Sequence, residues 1–491
     1  MIIPAAVLRI APVVNVYSTI VMIFSLTMAA PLIVAYIGDD AALLNYHQSI
    51  VITFVAGVLM RVTTMHRKRE LQPRDGFLLV FLVWTILPAF ATLPLLFHLP
   101  GLSFTDAYFE TVSGITTTGS TVLDNLDALP PSINFWRCEL VWLGGMGLIV
   151  LAVAILPLLG VGGMQLYKAE TPGPMKDAKL TPRITETAKG LWLVYAAITL
   201  ACIVAYRVAG MNWFDAITHA FSTMGLGGFS THDASYGFFN SPVIEAVSIV
   251  FMLVAAINFA THFQACRERG LRPYKADPEA GFFLLITLGS CVMLAWYLWA
   301  RGVYPEFMSA LRYASFNTVS IATTTGYANT DYNLWPVFAP LWMLFLCCFV
   351  SCSGSTGGGI KMIRALVLVR QGMRELVKLV HPNAQVPVKL AGTVVPNQIV
   401  FAVLAFMSMY GACIIAMTFL LLATGLDAIS AFSAVIASIN NTGPGLNQVG
   451  PATTYAALTD FQTWICTVAM LLGRLELFAL LIIFTPAFWR R

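Results

Sequence analysis

The residues best placed to do chemistry are polar, uncharged and strung along backbone. Ser320-Ile-Ala-Thr-Thr-Thr-Gly-Tyr327 is polar, ends near a glycine and lacks helix periodicity, yet it sits between two strongly apolar runs. Ser113-Gly-Ile-Thr-Thr-Thr-Gly-Ser120, Ser222-Thr-Met-Gly-Leu-Gly-Gly-Phe229 and Ala437-Ser-Ile-Asn-Asn-Thr-Gly-Pro444 line up with it. This places Gly119, Gly228, Gly326 and Gly443 at matched positions, 109, 98 and 117 residues apart. Glycine permits backbone angles that aim successive carbonyls one way, and threonine or asparagine side chains brace them. Four such stretches around one axis make a ring of carbonyl oxygens, the arrangement that replaces the hydration shell of a potassium ion. One Thr-Thr-Thr-Gly alone would read as a turn. Four in register are an internal repeat, so the chain reads as four copies of one module.

A second polar stretch, Cys352-Ser-Gly-Ser-Thr-Gly-Gly-Gly-Ile-Lys361, breaks the helix periodicity of the run from Trp335 to about Leu379. A phosphate-binding loop needs lysine directly after a glycine and then serine or threonine. Here Ile360 intervenes before Lys361 and no strand precedes the stretch. A plain flexible kink is one reading, and a mobile loop beneath the carbonyl ring is the preferred one. The nine cysteines lie in or near apolar runs without paired-ligand spacing, and the seven histidines are scattered. Packing is therefore expected of the cysteines, and neither disulfides nor a metal cluster.

The elements that must hold these stretches are membrane elements. With 58% hydrophobic and 11% charged residues among 491 and a mean hydropathy of +0.78, a soluble protein's polar surface cannot be built. Ten apolar runs fall at about 12–36, 47–64, 77–98, 134–160, 190–209, 242–265, 280–300, 335–351, 397–424 and 459–488. Their length favours helices over the weaker alternating pattern of a barrel. The first run has no basic leader and is too long for a signal sequence, so it is expected to be retained. Within each repeat the order is span, short half-helix, polar stretch, span. The half-helices are expected at about 104–116, 213–224, 306–321 and 427–439, too short to cross. Three begin near Asp106, Asp215 or Asp427, where a carboxylate suits the positive end of a helix; the third copy lacks such an aspartate. Each points its negative end inward, which favours a cation. Irregular backbone at that depth is tolerated only inside protein or along a wet path.

Charge orients the chain, because lysine and arginine near span ends stay cytoplasmic. The groups Arg61, Arg67, Lys68, Arg69 and Arg74; Lys168, Lys176, Lys179, Arg183 and Lys189; Arg267, Arg269, Arg272 and Lys275; and Lys361, Arg364, Arg370, Arg374, Lys378 and Lys389 fall in alternate loops. With Arg9, Arg490 and Arg491 they place 23 of the 28 lysines and arginines on one side. Both termini are then cytoplasmic and all four glycine-bearing stretches face outward. The net charge of +4 reflects topology. A nucleic-acid partner has little support, since the basic groups are not interleaved with base-stacking aromatics. Arg474 is expected near the middle of the last run, where an arginine costs roughly 2.5 to 3.5 kcal/mol and must face the protein interior or a wet path. It either bonds buried carbonyls or places its charge in the ion path. Glu476, nearly opposite around the helix, is a poor partner for it.

These stretches resemble those of the Trk/Ktr/HKT superfamily of potassium transporters, most closely the bacterial TrkH/TrkG type. The resemblance is carried by Thr116-Thr117-Thr118-Gly119, Gly225-Leu226-Gly227-Gly228-Phe229-Ser230, Thr323-Thr324-Thr325-Gly326-Tyr327 and Asn440-Asn441-Thr442-Gly443-Pro444-Gly445. It implies an all-α membrane protein with four tandem span, pore-helix, span repeats around one central pore, and an extra N-terminal two-helix domain. The units would be residues 1–70, then repeats at 71–165, 166–272, 273–390 and 391–491. It implies potassium contacts at Thr117, Thr118, Gly119, Leu226, Gly227, Gly228, Thr324, Thr325, Gly326, Asn441, Thr442 and Gly443. It implies a gate from Ser353, Gly354, Ser355, Thr356, Gly357, Gly358, Gly359, Lys361 and Arg474. It further implies potassium uptake across the bacterial cytoplasmic (inner) membrane, no covalent cofactor, a homodimer in membrane lipid, and a cytosolic nucleotide-binding regulatory ring of the TrkA kind. Keeping Gly119, where sodium-permeable members carry serine, favours potassium.

An alternative class stays open, an intramembrane enzyme whose glycine-rich segments hold a polar substrate. It would need a nucleophile with a base, paired carboxylates or a metal, and no such constellation is visible. The basic segments from Lys168 to Lys189 and from Lys361 to Lys389 could dock a soluble regulator or simply be a solvated face that fixes topology. In the first case charge reversal at Arg370 and Arg374 is expected to weaken binding of a nucleotide-binding partner.

Overall fold

The computed structural model describes residues 5–66, 71–147, 184–390 and 392–490. Among these described residues six helices are long and apolar enough to cross a bilayer: Ile10–Gly38, Leu43–Thr64, Arg74–His98, Ala188–Val208, Ala280–Ala300 and Asn397–Ala423. They coincide with the first, second, third, fifth, seventh and ninth of the expected runs. Prolines inside Arg74–His98 do not leave its backbone stranded. The Thr85 carbonyl accepts from the Tyr108 hydroxyl at 2.7 Å, the re-satisfaction that lets proline sit in a span.

The second span of each repeat behaves otherwise. In the first it is Pro131–Gly145, beyond which the expected run passes outside the described residues. In the second it divides into Pro242–Ala255 and Phe259–Glu268, bent by 92°. In the third, Phe338–Cys347 stops and Met362–Val380 resumes after the glycine-rich stretch. In the fourth it is Asp460–Arg474 and Phe478–Phe484, bent by 107°. The interruption in the third repeat was expected. The continuous sixth and tenth spans were not found, and Arg474 ends a helix where a mid-span position was expected. The bends fall at residues 256–258 and 475–477, where apolar side chains hide the break from a hydropathy reading. At the first, Asn258 caps the next helix by accepting from Ala260 N at 2.8 Å. At the second, Glu476 and Leu477 take the left-handed angles φ 50° and 55°, which end a helix.

Four short helices re-enter between the spans: Phe104–Ile115, Trp213–Gly225, Phe307–Ala322 and Ala428–Ile439. Ser103, Asn212 and Asp427 cap three of them, accepting from Asp106 N, Asp215 N and Ser430 N at 3.1, 2.8 and 3.0 Å. Glu306 stands at the start of the third without a cap bond, in line with the missing aspartate there.

The N-terminal pair packs through Gly57, which lies too close to Ser18 and Met22 for any side chain. It joins the first repeat where Tyr46 donates to the Ser132 carbonyl at 3.0 Å and where the Phe24 and Trp136 rings lie 5.7 Å apart. A two-stranded hairpin pairs Lys389 with Val394 and Leu390 with Thr393. Of the basic groups, Arg267, Arg269, Arg272, Lys275, Arg370 and Lys389 are exposed. Lys361, Arg364 and Arg374 are not; all three are buried, and Arg374 donates to Asn397 Oδ1 at 2.8 Å. Arg67, Lys68, Arg69, Lys168, Lys176, Lys179, Arg183, Arg491 and the Arg9 side chain lie outside the described residues.

Candidate ion filter and gate

The four half-helices end on one construction. The N–H groups of Thr117, Leu226, Thr324 and Asn441 reach back three residues, to the carbonyls of Gly114, Thr223, Ile321 and Ser438, at 2.9 to 3.2 Å. Those of Thr118, Gly227, Thr325 and Thr442 reach back five, to Ser113, Ser222, Ser320 and Ala437, at 2.8 to 3.1 Å. The first residue of each trio is left-handed: Thr117 φ 57°, Leu226 55°, Thr324 60° and Asn441 53°. So is the glycine that closes it: Gly119 φ 83°, Gly228 58°, Gly326 90° and Gly443 99°. Three non-glycine residue types in this costly region at matched positions show that position, more than side chain, dictates the angle.

The trios close into a ring. A side chain at Gly119 would strike the Gly227 carbonyl of the second copy, one at Gly228 the Thr325 carbonyl of the third, and one at Gly326 the Thr442 carbonyl of the fourth. A Cβ at Gly443 would lie 2.7 Å from the Thr118 carbonyl of the first. Each copy thus touches the next in chain order and the fourth returns to the first. The glycines are required by this contact as well as by φ. Among the described residues no backbone N–H bonds to the carbonyls of Thr117, Thr118, Leu226, Thr324, Thr325, Asn441 or Thr442. Buried carbonyls without donors are costly unless something positive meets them.

Side chains behind the ring hold it. Thr116 and Thr118 hydroxyls pair at 2.7 Å, and Thr323 with Thr325 at 2.8 Å. Asn441 Nδ2 donates to Thr118 Oγ1 and to the Met470 carbonyl, both at 3.0 Å. The second copy has no threonine at these positions because Val141 packs directly on Gly225 and Gly227. Sequence reading missed a further brace, the buried ion pair between Glu110 and Arg137, whose Nε to Oε1 distance is 2.8 Å. Glu110 also accepts from Val122 N at 3.0 Å, and Arg137 donates to the Ser230 carbonyl at 3.1 Å while its guanidinium stands 4.4 Å from the Phe229 ring centroid. One pair therefore ties the outgoing strands of copies one and two. Opposite charges in two neighbouring apolar elements were the available signal.

One layer below, residues 353–359 fold under the ring. Gly358 N donates to Thr324 Oγ1 at 2.7 Å, and Thr356 Oγ1 to the Met224 carbonyl at 2.9 Å. Gly358 has no room for a side chain against the Asn440 carbonyl. Ser351 Oγ donates to the Gly358 carbonyl at 2.6 Å, and Lys361 Nζ to the Gly357 carbonyl. The bend of the second repeat cups the loop, with Cys352 N on the Ala256 carbonyl and Phe259 N on the Gly354 carbonyl at 3.1 and 3.0 Å. Arg474 reaches the same layer from the fourth repeat. Its guanidinium donates to Thr117 Oγ1 at 3.2 Å, to the Thr356 carbonyl at 3.1 Å and to the Gly145 carbonyl at 3.3 Å, and it also bonds the Gly144 carbonyl. The structure bears out the reading in which Arg474 bonds buried carbonyls, and one of them, that of Thr356, lies on the loop. Glu476 turns away and pairs with Arg364 at 2.5 Å.

The twelve positions expected to contact the ion are thus brought together, and the loop, Lys361 and Arg474 meet directly beneath them. The model of a family described as a cation transport protein, TrkH, matches residues 43–491. The chain is 48% identical to the Trk system potassium uptake protein TrkH of Halomonas elongata over 98% of its own length and 99% of the relative's. It is 39% identical to the Trk system potassium uptake protein TrkG of Escherichia coli, over 96% and 97%. The crystal structure of the potassium transporter TrkH from Vibrio parahaemolyticus superposes with a TM-score of 0.88 at 44% identity, covering 98% of this chain and 99% of that one. With identity and fold agreeing over nearly the whole length, the chain belongs to the TrkH family of cation transport proteins.

Proposed function

We propose that this protein conducts potassium into the cell across the bacterial cytoplasmic membrane, through the ring at residues 117–119, 226–228, 324–326 and 441–443. The observation that carries the reading is the closed circle of trios, in which the carbonyls of Thr117, Thr118, Leu226, Thr324, Thr325, Asn441 and Thr442 take no backbone N–H among the described residues. A potassium ion there exchanges water oxygens for carbonyl oxygens fixed in place by the half-helices. The loop at 353–359, with Lys361 and Arg474, forms the resting barrier, since two cationic side chains stand where a cation must pass. The relatives' names, potassium uptake proteins, support the ion and the direction. Transport in place of catalysis follows from the same names.

Homodimer assembly, cytoplasmic termini and a docked nucleotide-binding ring belong to this reading through the family resemblance. The surface that supports docking is helix Met362–Val380, where Val369, Met373, Leu376, Leu379 and Val380 are exposed beside Arg370. Arg374 takes no part, being buried. Rubidium uptake by proteoliposomes loaded with potassium tests the function. Uptake displaced by external potassium far better than by sodium is expected. Equal displacement by both ions would remove the selectivity assignment, and no uptake under any condition would return the enzyme alternative.

A further inference from the structure

We propose that Glu279 is a positioning residue of the gate, its carboxylate clamping both ends of the loop at residues 353–359 so that the loop stays beneath the filter. The inference rests on the gate reading above. One oxygen, Oε2, accepts from Ser353 N at 2.9 Å and from Ile363 N at 3.0 Å. Ser353 opens the loop, and Ile363 lies in the first turn of Met362–Val380, the helix that resumes after it. A third bond closes the same neck, Met362 N to the Ser351 carbonyl at 2.9 Å. The loop's other inner bonds, Ser351 to Gly358 and Lys361 to Gly357, shape its crown. Among the described residues, Glu279 alone ties both ends, through one atom, to a different span.

The choice of an acid follows from where it acts. The first N–H groups of a helix have no partner within it, and that end carries partial positive charge. The Ile363 amide is such a group, and the Glu279 carboxyl oxygen satisfies it, most strongly when ionised; burial raises this carboxyl's pKa to about 7, against the pull of its bonds from Ser353 and Ile363. Glu279 starts the span Ala280–Ala300 but makes no side-chain cap bond to it. Its carboxylate is therefore left for the loop. The residue is itself fixed from behind: its N–H donates to Asp277 Oδ1 at 2.9 Å, and Asp277 Oδ2 accepts from Thr261 Oγ1 at 2.7 Å. Thr261 stands on Phe259–Glu268, the helix that follows the bend cupping the loop. A glycine-rich segment loses much conformational freedom when it is held in one shape. A clamp at its neck supplies that constraint without touching the ion path.

The test is resting rubidium flux per inserted protein in proteoliposomes, with selectivity measured alongside. Glu279→Ala should raise resting flux roughly tenfold, as expected for losing bonds to a charged acceptor, and leave the preference for potassium over sodium unchanged. Glu279→Gln keeps an oxygen able to take both N–H groups and should leak less than alanine. Glu279→Asp keeps a carboxyl but not the reach, and should leak as alanine does. In a protein lacking several residues within 353–359, Glu279→Ala should add nothing further. A leaking loop deletion beside an alanine variant at wild-type flux would overturn the clamp and leave the gate standing. A loop deletion that does not leak would overturn the gate reading itself. Should the alanine variant fail to insert, Glu279→Asp decides: leak supports the clamp, and wild-type flux overturns it.

Discussion

The carbonyl ring and the layer beneath it are built from the same four repeats yet obey different symmetries. At the ring every copy supplies the same two backbone bonds, the same left-handed first residue and the same glycine pressed on the next copy. One layer down no two repeats contribute alike. The first gives the helix-end carbonyls of Gly144 and Gly145, the second a bend at residues 256–258, the third a loop and the fourth an arginine. A spherical ion is matched by equal ligands from all sides, so likeness among the copies is useful there. A barrier needs one movable piece and one charge. On the proposed function, the repeat is strict where it surrounds an ion and loose where it switches.

The sharpest way to break the strict layer is to add one methyl group. Gly326 has φ 90° and no space against the Thr442 carbonyl. Gly326→Ala should shift that carbonyl and strain its own backbone by about 1 to 3 kcal/mol, and potassium-selective rubidium flux should fall about a hundredfold or lose its selectivity. Gly119→Ser should act likewise against Gly227, with relatively more sodium passing. Unchanged flux and selectivity in both would mean that the ring does not set ion preference.

The frame around the ring comes next. Glu110 and Arg137 are both 1% exposed and paired, so removing one partner leaves a buried charge uncompensated, at about 3 to 5 kcal/mol. Arg137→Met should lower the thermal unfolding midpoint in detergent clearly, and adding Glu110→Gln should restore part of the loss. A double variant that is worse than the single would show that the pair's charge is not what matters.

The loose layer should respond in the opposite sense. Arg474→Ala and deletion of several residues within 353–359 should each raise resting potassium flux roughly tenfold, because a barrier is removed while the ring is kept. Both act on one barrier, joined through the Thr356 carbonyl, so together they should give less than the product of the single effects. Wild-type flux in both single variants, with protein inserted, would leave Arg474 as a structural residue that satisfies helix-end carbonyls.

The strict layer was also the legible one. Thr-Thr-Thr-Gly and its three relatives announce themselves because backbone that must leave the helix and turn left-handed needs glycine, threonine or asparagine at fixed places. Half-helix limits followed to within about a residue because caps such as Asn212 and Asp427 are local chemistry. The bends at residues 256–258 and 475–477 were hidden, since Ile257, Leu475 and Leu477 keep hydropathy high through a break that tertiary packing makes. Arg474 was placed mid-span for the same reason. Arg374 looked like a docking residue because sequence cannot tell a basic surface from an arginine folded back on Asn397. Glu110 and Arg137, 27 residues apart, meet only through the re-entry of the half-helix.

The smallest expected effect lies on the segments leaving the ring, where copies one and two are joined by a titratable link. His232 Nδ1 is 2.5 Å from Asp127 Oδ1, and its Nε2 is 3.3 Å from Asp215 Oδ1; Asp233 N also donates to Asp127 Oδ2 at 3.1 Å. His219, on the helix Trp213–Gly225, stacks on the same imidazole with ring centroids 6.3 Å apart. Burial works against a charged His232, but the bonds to Asp215 and Asp127 outweigh it and hold its pKa above the ordinary 6.5. Burial likewise opposes the Asp127 charge, and the bond from His232 reverses this, holding its carboxyl below the ordinary 3.8. A raised histidine contributes stability in full below its unfolded value and loses it as pH climbs through the folded one. A lowered aspartate contributes above its unfolded value and loses it as pH falls. The link is thus strongest between about pH 4 and 6.5. On going from pH 6 to pH 9 the wild-type unfolding midpoint should drop about 1 to 2 °C further than that of His232→Gln. Identical pH dependence in the two proteins would show that the imidazole is neutral throughout and joins the two copies by shape alone.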